Sequence, residues 1–172
     1  KEGYGYTVQD PNQTEHGGLF IYGDIILEGS STSVPPAIGS IVTVSGEYEE
    51  YYSLAELKDS TVTITGSAAV PTPIAISDVC SISTSGTEGE KYESMLVTIS
   101  NVTVSNSNPD ADANDYNEFE VENCLRIDDG FCPDCYADQP AVGTTYSSIT
   151  GILSYTYGNY KLLPNTVDDL VE

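Results

Sequence analysis

The sequence predicts an all-β protein that buries its core in a sandwich or small barrel. Thr, Ser, Val, Ile, Gly and Tyr dominate the composition while Ala and Leu are sparse, which is the residue usage of strands and tight turns. Short β-branched or alternating segments recur along the chain, and turn signals such as Asp10-Pro11-Asn12 and Tyr157-Gly158-Asn159 separate them. A chain of 172 residues can form one large domain or two small ones.

The individual strands follow in chain order from alternation and β-branched content. The predicted strands are Gly5–Gln9, Leu19–Tyr22, Ile41–Tyr48, Thr61–Thr65, Ile74–Ile76, Met95–Val104, Glu118–Glu122, Leu125–Ile127, Ser148–Tyr155 and Tyr160–Leu163. Helical signals are nearly absent, and only Ser53–Leu57 and Thr166–Val171 are predicted as short helical turns.

An internal repeat divides the chain into two related units. Gly46–Leu57 aligns with Gly151–Leu162, since both segments begin with Gly, carry tyrosines in the middle and end on Leu. The Pro-containing linker Ala68–Pro73 lies between the copies. We therefore predict a first unit over residues 1–69 and a second, with the linker at its start, over residues 70–172.

The two copies differ at their first strand. The second copy opens with the long strand Met95–Val104, whereas the first has no counterpart, so its barrel is expected to have an open edge. One explanation is that an upstream segment has been removed, because the chain begins with Lys1 rather than Met. The other is that a neighbouring molecule donates a strand, as in donor-strand complementation.

Several segments of both units resemble OB-like modules of bacterial secreted proteins. They are Gly5–Pro11, Gly18–Tyr22 and Gly39–Tyr51 in the first unit, and Tyr92–Val97, Ile149–Tyr155 and Tyr160–Pro164 in the second. Such modules accompany extracellular nuclease and phosphatase-like catalytic domains and recur in large surface lipoproteins. The resemblance implies two OB-like (Greek-key) β-barrels in tandem, the first lacking its own first strand. Nothing in the chain matches the catalytic domains, so their activity does not carry over.

The charge balance limits the possible partners. Twenty-seven acidic residues against five basic ones leave a formal net charge of −22. Because nucleic-acid backbones are bound through Lys and Arg, this composition opposes nucleic-acid binding. The charge suits cations and cationic or neutral partners; the alternative is that it only keeps an extracellular protein soluble. No segment approaches the roughly 20 apolar residues of a membrane span.

Four cysteines indicate disulfides and an oxidising compartment. Of the three possible pairings we favour Cys132–Cys135 with Cys80–Cys124. A structural zinc site normally uses two close ligand pairs, and the chain has only one. A thioredoxin-like role requires the Cys132–Cys135 motif at a helix N-terminus, and no helix is predicted there.

Two acidic stretches are candidates for binding Ca²⁺. The loop Asn108–Glu118 alternates oxygen-bearing side chains as calcium loops do, although it lacks the Gly and Glu that an EF-hand requires. The second stretch lies beside the cysteines. The predicted ligands are Asp110, Asp112, Asn114, Asp115, Glu118, Asp128, Asp129 and Asp134. A bound cation would relieve their mutual repulsion, and the alternative is a hydrated acidic loop without a cation.

Tyrosines cluster at matching places in the two copies, at Tyr48, Tyr51, Tyr52, Tyr155, Tyr157 and Tyr160. Such rings suit stacking on a sugar or burial in an interface; the alternative is that they cover the barrel ends of a protein without Trp. The segments Asn12-Gln13-Thr14 and Asn101-Val102-Thr103 match the N-glycosylation pattern, so glycan attachment is a further expectation.

No catalytic constellation is evident. His16 is the only histidine and lies in a Gly-flanked turn, which is the ordinary setting of an exposed, non-catalytic histidine. We therefore predict a non-enzymatic, secreted structural or surface protein that associates with itself, such as a fibre subunit completed by a neighbour's strand, or with other surface proteins. The alternative is a carbohydrate- or nucleic-acid-binding accessory module of a larger secreted enzyme.

Overall fold

The computed structural model describes residues 5–23, 26–27, 36–110, 115–136 and 138–172, and these residues form a nearly all-β structure. The strands are β1 Gly5–Gln9, β2 Gly18–Tyr22, β3 Ile26–Leu27, β4 Ser40–Tyr51, β5 Leu54–Ser67, β6 Ile74–Ala75, β7 Leu96–Asn106, β8 Phe119–Val121, β9 Leu125–Ile127, β10 Thr145–Thr156, β11 Asn159–Leu163 and β12 Leu170–Val171. A single helical turn, α1 (Gly89–Tyr92), and the 3₁₀ turns Val79–Ile82 and Val167–Asp169 complete the described elements. The predicted all-β class is confirmed.

Five strands of the C-terminal half close into a barrel. β7 pairs with β8 and β10, β8 pairs with β9, and β11 pairs with both β9 and β10. Every one of these pairings is antiparallel except β9 with β11, which is parallel. The short strands β6 and β12 extend this sheet beside β7 and β10. Closure leaves no free edge inside the ring.

Alternating apolar residues fill this barrel. Along β7 the buried positions include Val97, Ile99, Val102 and Val104, as expected for a strand with one face towards a core. The Phe119 ring stacks on Tyr146 with centroids 6.0 Å apart. All the buried residues of the main core cluster lie between Ile76 and Leu162, so the described hydrophobic core belongs to the C-terminal barrel.

The N-terminal strands form a second sheet. β1 pairs antiparallel with β2, and β4 pairs antiparallel with β5 in a long hairpin. β2 and β3 both pair parallel with β5, β2 near its start and β3 further along it. In the described part of the chain no strand joins β1 to β4, so the sheet has an open side. Its buried apolar side chains, within the same described residues, are Phe20, Ile21, Leu54 and Val62.

The pairings of the first sheet repeat those of the barrel. β1–β2 corresponds to β8–β9, the parallel pair β2–β5 to β9–β11, and the hairpin β4–β5 to β10–β11. The hairpin turns also match: Tyr52 and Ser53 have positive φ, as have Tyr157 and Gly158. No strand equivalent to β7 is present in the described first sheet.

One helical prediction is wrong. Ser53–Leu57, predicted as a helical turn, is the hairpin turn and the start of β5. Positive φ at Tyr52 and Ser53 reverses the chain, and the following residues alternate as a strand does, with Leu54 and Glu56 buried. Thr166–Val171 does contain the 3₁₀ turn Val167–Asp169, which a capping box between Thr166 and Asp169 holds.

Some strand bounds also differ from prediction. β5 begins at Leu54 rather than Thr61, and β10 runs from Thr145 to Thr156 rather than from Ser148 to Tyr155. β3 and β12 are two-residue strands that the sequence did not indicate. None of the described helices is long and apolar enough to cross a membrane.

Candidate functional site

The open side of the first sheet, between β4 and β1, is the candidate functional site. β4 pairs only with β5 among the described strands, and β1 only with β2. An edge strand of this kind presents unpaired backbone N–H and C=O groups to any strand that can reach it. The site is therefore an edge formed by backbone groups rather than a pocket formed by side chains.

The face behind this edge is apolar but incompletely covered. On β4, Val42 and Val44 alternate with more exposed neighbours and are only half-buried. Val44 pairs with Val62, which is fully buried, whereas Val42 pairs with Ile64, which is 45% exposed. The repeat alignment places Val44 where the closed barrel has Ile149, a residue with no solvent exposure. The apolar face that an equivalent of β7 would cover in the first sheet is thus partly open to solvent.

β1 shows the same incomplete burial. All five residues of β1, from Gly5 to Gln9, are only half-buried. The Tyr6 hydroxyl oxygen is buried and has no hydrogen-bond partner among the described residues. Burial raises the pKa of Tyr6 to about 12, so the hydroxyl stays protonated and can donate a hydrogen bond to an incoming partner.

The predicted tyrosine cluster is divided between the two hairpins. Tyr48, Tyr51 and Tyr52 are exposed at the tip of β4–β5, where the rings of Tyr51 and Tyr52 meet edge to face at 4.7 Å. In the other hairpin Tyr157 is 85% exposed, whereas Tyr155 and Tyr160 are half-buried and in contact at 4.8 Å. Only Tyr52 and Tyr157 occupy equivalent positions in the aligned hairpins, and the environments of the other tyrosines differ.

Three of the predicted calcium ligands are paired with cations of the chain itself. The Lys161 ammonium, 2% exposed, donates to Glu118 and to Asp128, the latter at 3.1 Å. Arg126 donates to Glu118 at 2.9 Å and to Asp110. Burial raises the pKa of Glu118, and the bonds from Lys161 and Arg126 oppose that rise. The ion pairs of Lys161 and Arg126 hold the segments around Asp110 and Asp128 against the outer face of β9 and β11.

The other predicted ligands are not drawn into one site. Asp129 accepts a hydrogen bond from Asn117 at 2.5 Å, Asp115 accepts one from the Asn117 backbone N–H at 2.8 Å, and Asp134 is exposed. Asp112 and Asn114 lie outside the described residues. Within the described ranges no group of three or more His, Cys, Asp or Glu side chains is arranged to hold a metal ion. Calcium binding stays a prediction.

Lys161 and Arg126 were not singled out from the sequence. The signal that could have found them is their setting, since each interrupts a short apolar strand in a chain with only five basic residues. A cation within an apolar strand is expected to have an acidic partner.

Both disulfides form as predicted. Cys80 pairs with Cys124, with Cα atoms 5.4 Å apart, and Cys132 pairs with Cys135. The first ties the 3₁₀ turn Val79–Ile82 to the β8–β9 turn, and the second closes a tight loop after β9. Two disulfides in a chain of this size indicate an oxidising environment.

His16 lies in an exposed turn, with φ of 54°, and its backbone N–H donates to the Lys91 carbonyl at 2.6 Å. Of the glycosylation candidates, Asn12 lies in an exposed turn and Asn101 is an exposed residue of β7.

Comparison with known families, curated proteins and solved structures found no match: no family model, protein or structure is significantly similar to this chain.

Proposed function

We propose that the chain is an extracellular structural protein that associates with itself by accepting a strand from a neighbouring copy at the β1–β4 opening. The carrying observation is that β4 and β1 border a half-buried apolar face with no described strand between them. A donated strand would pair both edges and cover Val42 and Val44 in one step.

The closed barrel supplies the pattern for this completion. Its strands follow one another around the ring as first, second, third, fifth and fourth, with the third and fifth parallel, and this order supports an OB-like interpretation. The first sheet has the same pairings without a first strand. Two OB-like units in tandem, the first of them one strand short, are the simplest interpretation.

The donated strand should resemble β7 in chemistry. β7 lies between β8 and β10 and pairs antiparallel with both, so a donor lying between β1 and β4 is expected to run antiparallel to both. β7 buries alternate residues with Val and Ile at the inner positions. A donor with alternating β-branched residues would fill the space next to Val44 in the same way.

The charge and disulfides fit a place outside the cell. Disulfides persist in an oxidising exterior, and a net charge of −22 opposes non-specific binding to nucleic acids. An accessory ligand-binding module would present an open barrel face. Here, however, Lys161 and Arg126 on β11 and β9 are engaged with Glu118, Asp110 and Asp128. This favours the structural function over the alternative.

The test is the assembly state of the purified chain, by light scattering and negative-stain microscopy with and without EDTA. We expect regular polymers. Val44→Asp should abolish them because the donated strand would bury a carboxylate without a partner. Thr43→Asp, on the exposed face of the same strand, is the matched control and should polymerise normally.

A monodisperse monomer at every concentration, with and without EDTA, would refute self-association and leave the accessory binding module as the function. Equal effects of Val44→Asp and Thr43→Asp would place assembly at another surface. Polymers that dissolve in EDTA would support calcium binding; polymers that persist would remove calcium from the proposal and leave strand donation intact.

A further inference from the structure

The first sheet rests on the segment Lys91–Leu96, which connects α1 to β7. The His16 N–H donates to the Lys91 carbonyl at 2.6 Å, and the Leu96 N–H donates to Gln9 Oε1 at 2.9 Å. The Gly17 N–H points at Met95 Sδ at 3.3 Å. We call this contact between the two sheets the joint.

Glu93 is a buried acid at the centre of the joint. It is 5% exposed, and its Oε1 accepts a hydrogen bond from the Ala55 N–H of β5 at 2.9 Å. Its Oε2 is buried without a hydrogen-bond partner among the described residues. A Cβ at Gly18 would lie 2.4 Å from the Glu93 carbonyl oxygen, so the backbones here are in close contact. A buried carboxylate oxygen without a partner is costly when charged.

The groups around Glu93 add to that cost. Glu90 of α1 and Glu50 of β4 both act on it with like charge, and the hydroxyls of Tyr48 on β4 and Tyr160 on β11 lie within its electrostatic reach. From β5 the facing group is the Ala55 N–H. Burial, and then the two neighbouring carboxylates, raise the pKa of Glu93 to about 7, against the lowering effect of the Ala55 bond.

We propose that Glu93 is a proton-controlled latch, which holds the first sheet on the barrel when its carboxyl is neutral and lets the joint open when it is ionised. Opening admits water to the carboxylate and separates it from Glu50. The latch lies within one molecule, so it does not depend on strand donation.

The direction of the pH dependence follows from linkage. In the open joint Glu93 is hydrated and titrates near its ordinary pKa of 4.5, whereas in the closed joint its pKa is about 7. The closed form therefore binds more protons between these values, and opening becomes easier as pH rises through that window. The neutral Glu93 carboxyl stabilises the closed joint fully below its ordinary pKa of 4.5, and this stabilisation is lost as pH rises through about 7. At higher pH the opening equilibrium no longer changes with pH.

The test is amide hydrogen exchange of the whole chain at pH 5 and pH 7.5, corrected for intrinsic rates. We expect protection of the joint amides of His16, Ala55 and Leu96 to fall by at least about tenfold over this range. Amides of the barrel strands β10 and β11 exchange on unfolding of the whole fold and are the internal reference, so the joint amides should stay less protected than these at both pH values. Wild-type protection that is the same at both pH values would overturn the latch.

Glu93→Gln keeps the oxygen that accepts from Ala55 and removes the charge. In this variant the joint amides should be equally protected at both pH values, whereas Glu120→Gln, on β8 of the barrel, should behave as wild type. A pH dependence that survives in Glu93→Gln would overturn the proposal. Should Glu93→Gln fail to fold, titration of the wild-type Glu93 carboxyl by ¹³C NMR decides: a value near 7 supports the latch, and an ordinary value overturns it.

Discussion

Lys161 and Glu56 show how the same position differs between the two sheets. Lys161 and Glu56 occupy equivalent positions in the repeat, and both are 2% exposed. In the barrel the buried cation is held by two carboxylates, whereas burial and then Glu49 raise the pKa of Glu56 in the first sheet. The same backbone position thus carries opposite charges, each requiring its own local partners.

Replacing Lys161 tests the buried ion network. Lys161→Met leaves Glu118 and Asp128 buried without their shared cation, so the free energy of unfolding should fall by about 3–5 kcal/mol at pH 7. Guanidinium unfolding measures it. The loss should be smaller at pH 4, because burial raises the pKa of Glu118 and a protonated, neutral carboxyl costs less to bury.

Lys91→Met is the matched control. Lys91 pairs with Glu88 near the surface, with about a third of each side chain exposed. Its replacement should cost no more than about 1 kcal/mol. Equal losses for the two lysine variants would show that the Lys161 network does not stabilise the barrel more than an ordinary surface pair.

The two long hairpins are the elements that the repeat made recognisable. Each reverses through two residues with positive φ, beginning with a tyrosine: Tyr52 with φ of 48° and Tyr157 with φ of 49°. A bulky residue in this left-handed region is uncommon, whereas Asn and Gly favour it. The predicted helical turn at Ser53–Leu57 failed because local propensity gave no sign of this reversal.

The Tyr157 turn should become more stable with asparagine. Tyr157→Asn creates an Asn-Gly turn with Gly158, whose φ is 81°, and removes a ring that is 85% exposed. We expect the free energy of unfolding to rise by about 0.5–1 kcal/mol, as measured by thermal or chemical denaturation. Tyr157→Phe keeps the ring and the backbone strain and should leave stability unchanged. A destabilised Tyr157→Asn variant would mean that the ring contact with Lys161, 5.6 Å away, matters more than the strain.

At the scale of the whole molecule, burial is unequally shared. The described core cluster and both disulfides lie within the C-terminal part of the chain, between Ile76 and Leu162. The first sheet has four buried apolar residues among its described positions and contacts the barrel through the joint. The barrel therefore has its own hydrophobic core, whereas the first sheet depends for its stability on packing against the barrel.

Dividing the chain should expose this inequality. Residues 70–172 expressed alone should fold cooperatively, with dispersed amide NMR signals, because the closed ring and its core are retained. Residues 1–69 alone should remain unfolded or aggregate, because most of their apolar face has nothing to pack against. An unfolded 70–172 fragment would contradict this prediction and show that the barrel requires the first sheet.

The sequence by itself determined the all-β class, most strand positions and the repeat, and it favoured the disulfide pairing that the structure shows. These features depend on short-range patterns: alternation along a strand, turn residues, and a small number of cysteines. It also predicted, from the missing counterpart of Met95–Val104, an open edge in the first unit. The described sheet has that opening between β1 and β4.

Only the tertiary structure decided which charged groups meet. Asp110, Glu118 and Asp128 looked like ligands for a cation, and Lys161 and Arg126, distant in sequence, supply the opposite charge. Glu93 gave no local signal, yet folding buries it between two sheets beside Ala55. Electrostatic pairing and burial depend on distances across the fold, and no pattern within a single strand contains them.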